Sequence, residues 1–329
     1  MITRLTQLLL LLQLGLALVL AIASQRAWPG LSEVSATLIG MSVIVAVRAL
    51  IVANNFRLAA RFPCDPPAPR LGCRRAATLY LGELRATLIS SSVNMPFRRF
   101  ASVPTNFSSG IPVLLIHGYG CNSGYWWPLC RHLQSARMSY HAVNLEPVLA
   151  DIDDYLPMVN EAIGVLCAAT RQRQVIIVAH SMGGLVARAW MRTHGTHRVA
   201  KLITLGSPHD GTGLAQFAFG ENSRQMRRNG TTGTTKNASS SCNGWLRALQ
   251  ADENLEQLPV VSIYSLHDNI VAPQSTSRLA GAKNIAFDGI GHVALGSHPA
   301  VIACVLEQIC ETSNAPAQAA MSIHSKPSC

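Results

Sequence analysis

Residues 174–185 read QVIIVAHSMGGL, a run of β-branched and apolar residues that ends in a cluster of small residues around Ser181. The apolar run predicts a buried strand, and the small residues predict a sharp turn into a helix that begins at Met182. A serine in such a turn sits on a strained backbone at the carboxyl edge of a sheet, which presents its hydroxyl as a nucleophile. The alternative is a serine that caps a core helix.

A second motif, HGYG at 117–120, follows the apolar stretch 113–116. Glycines let the backbone approach a substrate closely, and the Tyr119 N–H is placed to point at the same oxygen as the Met182 N–H. We therefore predict these two N–H groups as the donors of an oxyanion hole. The alternative for this loop is a plain turn at the end of a strand.

A nucleophilic serine needs a histidine base, and the base needs a carboxylate that fixes its tautomer. Asp268 follows the strand predicted at 260–265, and His292 follows the next strand on a loop that contains two glycines. These positions predict Asp268 as the acid and His292 as the base. Asp288 is the rival acid, although it lies only four residues before His292 on the same loop.

Apolar strands alternate with helical stretches from residue 111 onward, which is the rhythm of a parallel sheet covered by helices. The predicted strands are 113–116, 140–145, 175–178, 200–204, 260–265 and 284–287, and the predicted helices start at 126 or span 152–170, 182–194 and 299–309. Residues 214–259 interrupt the rhythm, so we predict that they form a lid insertion. The predicted fold class is α/β, with a mostly parallel sheet.

The N-terminal part of the chain contains two long apolar segments. Residues 5–25 carry no charge, and residues 35–53 are interrupted only by Arg48. Each is long enough to cross a bilayer, which takes about 20 residues. We predict a transmembrane hairpin that turns at 28–30. The alternative is a secretory signal peptide, because residues 21–23 read AIA, a pattern typical of a cleavage site.

The formal net charge is +10, and it is unevenly distributed. Residues 1–100 contain eleven arginines and three acidic residues, which accounts for +8 of the total. The basic residues therefore flank the apolar segments rather than the α/β region, which favours a membrane partner and argues against nucleic acid. Arginines cluster beyond residue 56 and Arg4 precedes the first segment, so the charge bias predicts both ends of the hairpin in the cytoplasm.

These patterns divide the chain into four parts. Residues 1–55 are the predicted hairpin, 56–110 a basic linker, 111–312 the α/β domain with its lid, and 313–329 a disordered tail. The linker contains one predicted amphipathic helix at 76–90 with Leu81, Leu84 and Leu88 on one face. The nine cysteines have no metal-ligand spacing, and the sequence leaves their disulfide state open.

Five motifs in this order resemble the bacterial lipase/esterase branch of the α/β-hydrolase superfamily, in particular its membrane-anchored proteobacterial type. They are PVLLIHGYG, VIIVAHSMGGL, KLITLGSPHDGTGLA, SLHDNIVAP and GIGHVALGSHP. The resemblance covers about 111–309 and implies the α/β-hydrolase fold. It implies Ser181 as nucleophile, Asp268 as acid and His292 as base, with Tyr119 and Met182 at the oxyanion hole. Relatives place a calcium-ligand aspartate where this chain has Ala294, so no metal is expected.

The chemistry predicted from these residues is hydrolysis of carboxylic esters through an acyl-enzyme, without a cofactor. Lipid or medium- to long-chain acyl esters are the predicted substrates. A bilayer is the predicted location, and the resemblance implies the bacterial inner membrane. No obligate protein partner is inferred. The alternatives are an acyltransferase or thioesterase that uses the same triad, and a non-catalytic membrane-anchored scaffold.

Overall fold

The computed structural model describes residues 2–64, 66–98, 110–228, 244–251 and 258–323, and for residues 313–323 it describes the backbone. Six strands form one parallel sheet in the order β2-β1-β3-β4-β5-β6. β3 pairs with β1 on one side and β4 on the other, so Ser181, which follows β3, leaves the sheet near its centre. The strands are β1 Val113–Ile116, β2 Tyr140–Val143, β3 Val175–His180, β4 Val199–Leu205, β5 Val260–Ser265 and β6 Lys283–Phe287.

The inner strands are apolar on both faces because helices cover both sides of the sheet. Along β1, Leu114 and Ile116 enter one core cluster, whereas Val113 and Leu115 enter the other. The first cluster includes residues of α6 (Leu156–Thr170) and α7 (Met182–His194), and the second includes residues of α5 (Trp127–Ser135) and α10 (Pro299–Ile323). The predicted α/β class with a parallel sheet is confirmed.

Two helix boundaries differ from the predicted ones. α6 begins at Leu156 rather than at 152, after a 3₁₀ turn at Asp153–Tyr155. Pro157 lies in the first turn of α6, where its missing N–H costs no hydrogen bond. α10 ends at Ile323 rather than at 309, which carries helix into the segment predicted to be a disordered tail. Alanine, the strongest helix former, is frequent in this extension.

The N-terminal apolar segments form two helices, α1 (Ile2–Ala27) and α2 (Glu33–Ala59), which pack against each other as a hairpin. They contain 26 and 27 residues, or roughly 40 Å of helix each. The mean hydropathy of their most apolar windows is 2.3, and most of that surface is exposed. By length and composition, both helices could cross a membrane. A side chain at Gly40 would collide with the backbone of Ala17, so the helices touch closely there.

The open end of the hairpin lies against the α/β domain. The Ile2 N–H donates to Glu146 Oε1 at 3.2 Å, and Asn122 Nδ2 donates to Thr3 Oγ1 at 3.2 Å. At the end of α2 a small apolar cluster is formed by Ala59, Leu214 and Ala272, with Leu58, Phe62 and Ile270 around it. The first residues of α1 and the last residues of α2 therefore both contact the domain.

The region predicted as a linker at 56–110 contains a helix that packs against α2 of the hairpin and against the 3₁₀ turn Val293–Gly296. This helix, α3 (Cys73–Ile89), continues as a π-helical turn at Ser90–Asn94 and as α4 (Met95–Phe97). Its buried residues are Leu79 and Glu83, whereas Leu81 is exposed. Of the leucines predicted to share one face, Leu84 and Leu88 are half-buried and Leu81 is exposed. Residues 99–109 lie outside the described residues.

The predicted lid at 214–259 divides into two kinds of surface. Leu246 and Leu249, on α9 (Gly244–Ala251), are fully buried in the core beside α7. Phe217 and Phe219, which precede α8 (Glu221–Gln225), are exposed. The apolar residues thus do not share one face. Residues 229–243 and 252–257 lie outside the described residues.

The cysteines within the described residues carry free thiols. They are Cys64, Cys73, Cys121, Cys130, Cys167, Cys304 and Cys310. Burial raises the pKa of Cys121 to about 12 and that of Cys130 to about 12, so both remain neutral apolar side chains at physiological pH.

Candidate active site

Ser181 occupies a sharp turn between β3 and α7. Its φ of 54° and ψ of −126° form a backbone conformation that residues with a side chain rarely adopt. The turn is possible because its neighbours are small: a Cβ on Gly183 would lie 2.5 Å from the Ile116 carbonyl oxygen, and one on Gly118 would lie 2.8 Å from the Ser181 Cβ. The local sequence therefore fits a strand-turn-helix nucleophile position.

Two backbone N–H groups are available beside Ser181. Within the described part of the chain, neither the Met182 N–H nor the Tyr119 N–H donates a hydrogen bond. Met182 is the first residue of α7, so the positive end of the helix dipole lies at this position. There is no room for a side chain between Gly118 and the Ser181 Cβ, so the 117–120 loop lies against the turn. The predicted oxyanion donors thus lie on two adjoining loops.

His117 fixes the backbone of that loop. Its Nε2 accepts from the Leu145 N–H at 3.0 Å, so its proton lies on Nδ1, which donates to the Gly118 carbonyl at 2.9 Å. Burial lowers the pKa of His117 to about 4, and the ring remains neutral near pH 7. We therefore assign His117 to holding the loop rather than to proton transfer.

The structure brings Asp268 and His292 together. His292 Nδ1 lies 2.7 Å from Asp268 Oδ2, and the side chains are only 5% and 1% exposed. The other Asp268 oxygen accepts from the Ile270 N–H at 2.8 Å and the Val271 N–H at 2.7 Å. Burial by itself lowers the pKa of His292, but the charge and hydrogen bond of Asp268, helped by Glu83, raise it above the ordinary 6.5.

Asp288, the rival acid, has other partners. Its carboxylate forms an ion pair with Arg75 and lies 2.9 Å from His267 Nδ1. The second nitrogen of His267 lies 2.9 Å from the Pro69 carbonyl oxygen. The geometry therefore favours Asp268, because within the described residues no hydrogen bond or ion pair joins Asp288 to His292.

Two further histidines near the motifs are buried in fixed roles. His180 stacks on Tyr125 with ring centroids 4.3 Å apart, and its Nε2 donates to the His292 carbonyl at 3.2 Å. His209 bonds to Thr204 and Arg188. Burial is the main cause that lowers the pKa of both rings well below 6.5, so each is neutral. Neither competes with His292 as the base.

Glu83 lies beside the site, and the sequence patterns did not predict it there. Its side chain, on α3, is 1% exposed and accepts from the N–H groups of Val293 and Ala294, directly after His292. Burial raises the pKa of its carboxyl, while the two N–H bonds and His292 act in the opposite direction. The available signal was an isolated carboxylate four residues after Leu79 on one helix face.

No group of three or more His, Cys, Asp or Glu side chains placed to hold a metal ion occurs in the described ranges. Ala294, at the position where the resemblance puts a calcium ligand, donates its N–H to Glu83 instead. The Ser181 hydroxyl makes no hydrogen bond to another described residue. Together, the turn, the paired N–H groups and the buried His–Asp pair are arranged for nucleophilic acyl transfer.

Residues 108–295, more than half of the chain, match the PGAP1-like alpha/beta domain. The chain belongs to this family. Curated relatives are triacylglycerol lipases of Pseudarthrobacter phenanthrenivorans and Burkholderia plantarii, each 29% identical over 118 residues. The matches cover 32% of this chain and 35% and 32% of those proteins, so the chain spans about a third of the relatives' length.

Solved structures with the same fold include two lipases. Bacillus licheniformis lipase BlEst2 in its mature form superimposes with a TM-score of 0.50 at 16% identity, over 64% of this chain and 96% of that one. Aspergillus fumigatus lipase B gives a TM-score of 0.51 at 17% identity, over 64% of this chain and 55% of that one. At these identities the likeness concerns the fold, and the predicted α/β-hydrolase fold is confirmed.

Proposed function

We propose that this family member is a serine hydrolase that cleaves carboxylic esters, with Ser181 as nucleophile, His292 as base and Asp268 as the acid that orients it. The observation that carries the proposal is the buried 2.7 Å contact between His292 Nδ1 and Asp268. This pair packs against His180, which directly precedes Ser181 and its strained turn. The lipase names of the curated relatives support the same reaction class.

The reaction follows from the positions of the protons. Asp268 engages His292 Nδ1, so Nε2 is the nitrogen available to take the Ser181 proton. The Ser181 oxygen attacks the ester carbonyl, and the resulting oxyanion accepts from the Met182 and Tyr119 N–H groups. His292 then returns the proton to the departing alcohol, and a water molecule hydrolyses the acyl-enzyme by the same steps. The free Ser181 hydroxyl engages the base when substrate binds.

We propose lipid or medium- to long-chain acyl esters as the substrate class. The support is an exposed apolar surface beside the oxyanion loop, formed by Leu149, Phe217 and Phe219. Phe217 is 50% exposed and Phe219 is 78% exposed. The Tyr119 hydroxyl donates to the Phe219 carbonyl at 2.9 Å, which ties this surface to the 117–120 loop. Exposed apolar groups next to a catalytic mouth suit contact with acyl chains.

The proposed location is a membrane, with the α/β domain held at its surface by the α1–α2 hairpin. The start of α1 contacts the domain at Asn122, and the end of α2 contacts it near Ala272. The domain is therefore held against one end of the apolar helices. The arginine distribution favours the cytoplasmic side, and alkaline phosphatase or fluorescent-protein fusions to the C-terminus measure that side directly.

The first experiment tests the reaction. The full-length protein in detergent is assayed on p-nitrophenyl esters of increasing chain length, as wild type and as Ser181→Ala. We expect hydrolysis by the wild type only, and stoichiometric labelling of Ser181 by an organophosphonate. Labelling of a different serine contradicts the proposed nucleophile.

The second experiment tests the substrate class. The double variant Phe217→Ser, Phe219→Ser is compared with Val165→Ser, which changes an exposed apolar residue on α6. We expect the double variant to lose stimulation by anionic vesicles on long esters while it keeps hydrolysis of butyrate. The Val165 variant should match the wild type. Wild-type activity confined to acetate and butyrate, and indifferent to vesicles, indicates a small-ester esterase instead.

A further inference from the structure

Three consecutive backbone N–H groups at the base of the site are held by side chains from distant parts of the chain. The His292 N–H donates to Asn269 Oδ1 at 2.9 Å. The Val293 N–H donates to Glu83 Oε1 at 3.0 Å, and the Ala294 N–H donates to Glu83 Oε2 at 2.9 Å. These groups begin the 3₁₀ turn Val293–Gly296, whose N-terminal cap is His292. The backbone that carries the proposed base is therefore fixed from outside its own loop.

Glu83 fits this position closely. A side chain at Gly291 would collide with the Glu83 carboxylate, so the residue before His292 packs directly on it. Both carboxylate oxygens accept from backbone donors, which is the pattern of an ionised carboxylate at the start of a helical turn. Glu83 comes from α3, 210 residues earlier in the chain than Val293.

The charged and titratable groups around Glu83 belong to four elements. His292 and Asp268 act on it electrostatically from their loops, and Tyr125 lies within its field. Arg48 of α2 lines the same cavity of about 300 Å³ as Glu83, but its guanidinium bonds to Gln13, Ser91 and Ser92. Of these groups, His292 is the one that changes charge during the proposed reaction.

α3 also connects this carboxylate to the hairpin. The Tyr80 hydroxyl donates to the Ala49 carbonyl of α2 at 2.8 Å, and the Tyr80 and Phe56 rings have centroids 6.5 Å apart. Tyr80 precedes Glu83 by less than one helical turn, so the two side chains leave the same short stretch of α3. One contacts the membrane hairpin and the other contacts the loop of the base.

We propose that Glu83 is a positioning residue for His292: its carboxylate fixes the backbone of the base, and its negative charge stabilises the imidazolium formed during acyl transfer. This inference rests on the proposed ester hydrolysis. It means that a helix of the N-terminal region contributes to catalysis. The position of the base then depends on α3, which also packs on the hairpin.

The test uses Glu83→Gln in the full-length protein in detergent. The amide offers one acceptor oxygen and presents an NH₂ group to the second backbone N–H, so the turn is no longer held at both points. We expect kcat to fall about 100-fold, the scale of a small misplacement of a catalytic group, with KM nearly unchanged. The matched control is Glu161→Gln, an exposed carboxylate on α6, which should behave as wild type.

The pH profile separates a charge effect from packing alone. His292 acts as a base only when neutral, and the Glu83 charge contributes to raising its pKa. Removing that charge lowers the pKa, so the acid limb of kcat/KM should move to lower pH in Glu83→Gln. Glu83→Asp keeps the charge and shortens the reach, so kcat should fall while the limb stays near its wild-type position.

A spectroscopic measurement keeps the inference independent of turnover. The titration of His292 is followed by NMR in protein carrying ¹³C-labelled histidine, with the signal assigned by its loss in His292→Asn. A lower pKa of His292 in Glu83→Gln supports the proposal even if the wild type hydrolyses no ester, in which case the proposed function alone fails. An unchanged pKa, or a folded Glu83→Gln with wild-type kcat, overturns the proposal. If Glu83→Gln does not fold, the test uses Glu83→Asp instead. A wild-type kcat in Glu83→Asp then overturns the proposal.

Discussion

The molecule contains two histidine–aspartate pairs built from neighbouring loops, and they lie in different environments. His292 and Asp268 are 2.7 Å apart and almost fully buried. His267 and Asp288 are 2.9 Å apart, but their side chains are 13% and 32% exposed, and Asp288 also pairs with Arg75. The chemistry of the two pairs is the same. Their surroundings differ, and of the two it is the buried pair that packs against His180, the residue before Ser181.

Burial changes what such a pair can do. A charge interaction in the interior is screened far less than one at the surface, so Asp268 strongly favours the protonated form of His292. The remaining Asp268 oxygen accepts hydrogen bonds from two backbone N–H groups, which keeps the carboxylate oriented toward His292. Asp288 instead shares its charge with an arginine and with solvent. We therefore expect the buried pair to serve the reaction and the exposed pair to serve surface structure.

The largest difference between the pairs is expected from removal of the imidazoles. His292→Asn should lower kcat about a millionfold, the scale seen when a serine hydrolase loses its base. His267→Asn should leave kcat within about twofold of the wild type, because that ring contacts no group of the proposed reaction. Steady-state hydrolysis of a soluble ester measures both. A comparable loss of kcat in the two variants would contradict the distinction between the buried pair and the exposed pair.

Replacement of the carboxylates should have the next largest effect. Asp268→Asn should lower kcat about 10⁴-fold, because an amide no longer fixes the His292 tautomer or stabilises the imidazolium. Asp288→Asn should stay within about twofold of the wild type. Thermal unfolding of both variants controls for loss of the fold. If Asp288→Asn is the more damaging change, the acid has been assigned to the wrong residue.

The pH dependence should report the buried pair alone. His292 must be neutral to accept a proton, and its raised pKa keeps it protonated to a higher pH than an ordinary histidine. Activity should therefore fall as pH decreases through a midpoint above 6.5 in kcat/KM. Asp288→Asn should leave the midpoint in place. A midpoint that shifts in this variant means that the surface pair also acts on the base.

The smallest effect is expected from the surface pair itself. Arg75→Ala removes an ion pair whose arginine is 62% exposed, and such pairs contribute about 0.2–1 kcal/mol to the free energy of unfolding. The change should be detectable as a slightly lower Tm that converges with the wild type at high salt. A larger decrease in Tm, or a decrease that salt does not reduce, indicates that Arg75 holds the 267–289 loops together.

The sequence contained the information for the sheet and the proposed triad because both depend on local patterns. Buried parallel strands appear as continuous apolar runs, and the turn around Ser181 requires small residues at fixed spacing. Asp268 and His292 were located by their positions after successive strands. The sequence already favoured Asp268 over Asp288 by position, and the structure adds that Asp288 contacts Arg75 and His267.

The contacts of Glu83 and the exposed surface of the lid could not be predicted from local sequence patterns. Glu83 acts on residues that are 210 and 211 positions away, and a single carboxylate on a helix carries no information about such a partner. On α3, Leu79 and Glu83 are buried whereas Leu81 is exposed, because the helix packs against α2 and against the turn Val293–Gly296. In the lid, tertiary contacts bury Leu246 and leave Phe219 exposed, although both are equally apolar in sequence.

The attachment of the domain to both ends of the α1–α2 hairpin has a kinetic consequence. On the proposed membrane location, two points of attachment leave the domain little freedom to tilt or to rotate away from the bilayer surface. On the proposed function, the enzyme then samples ester in two dimensions, and the relevant concentration is the mole fraction of ester in that surface. Diluting a long-chain ester with inert detergent at constant bulk concentration should slow its hydrolysis in proportion.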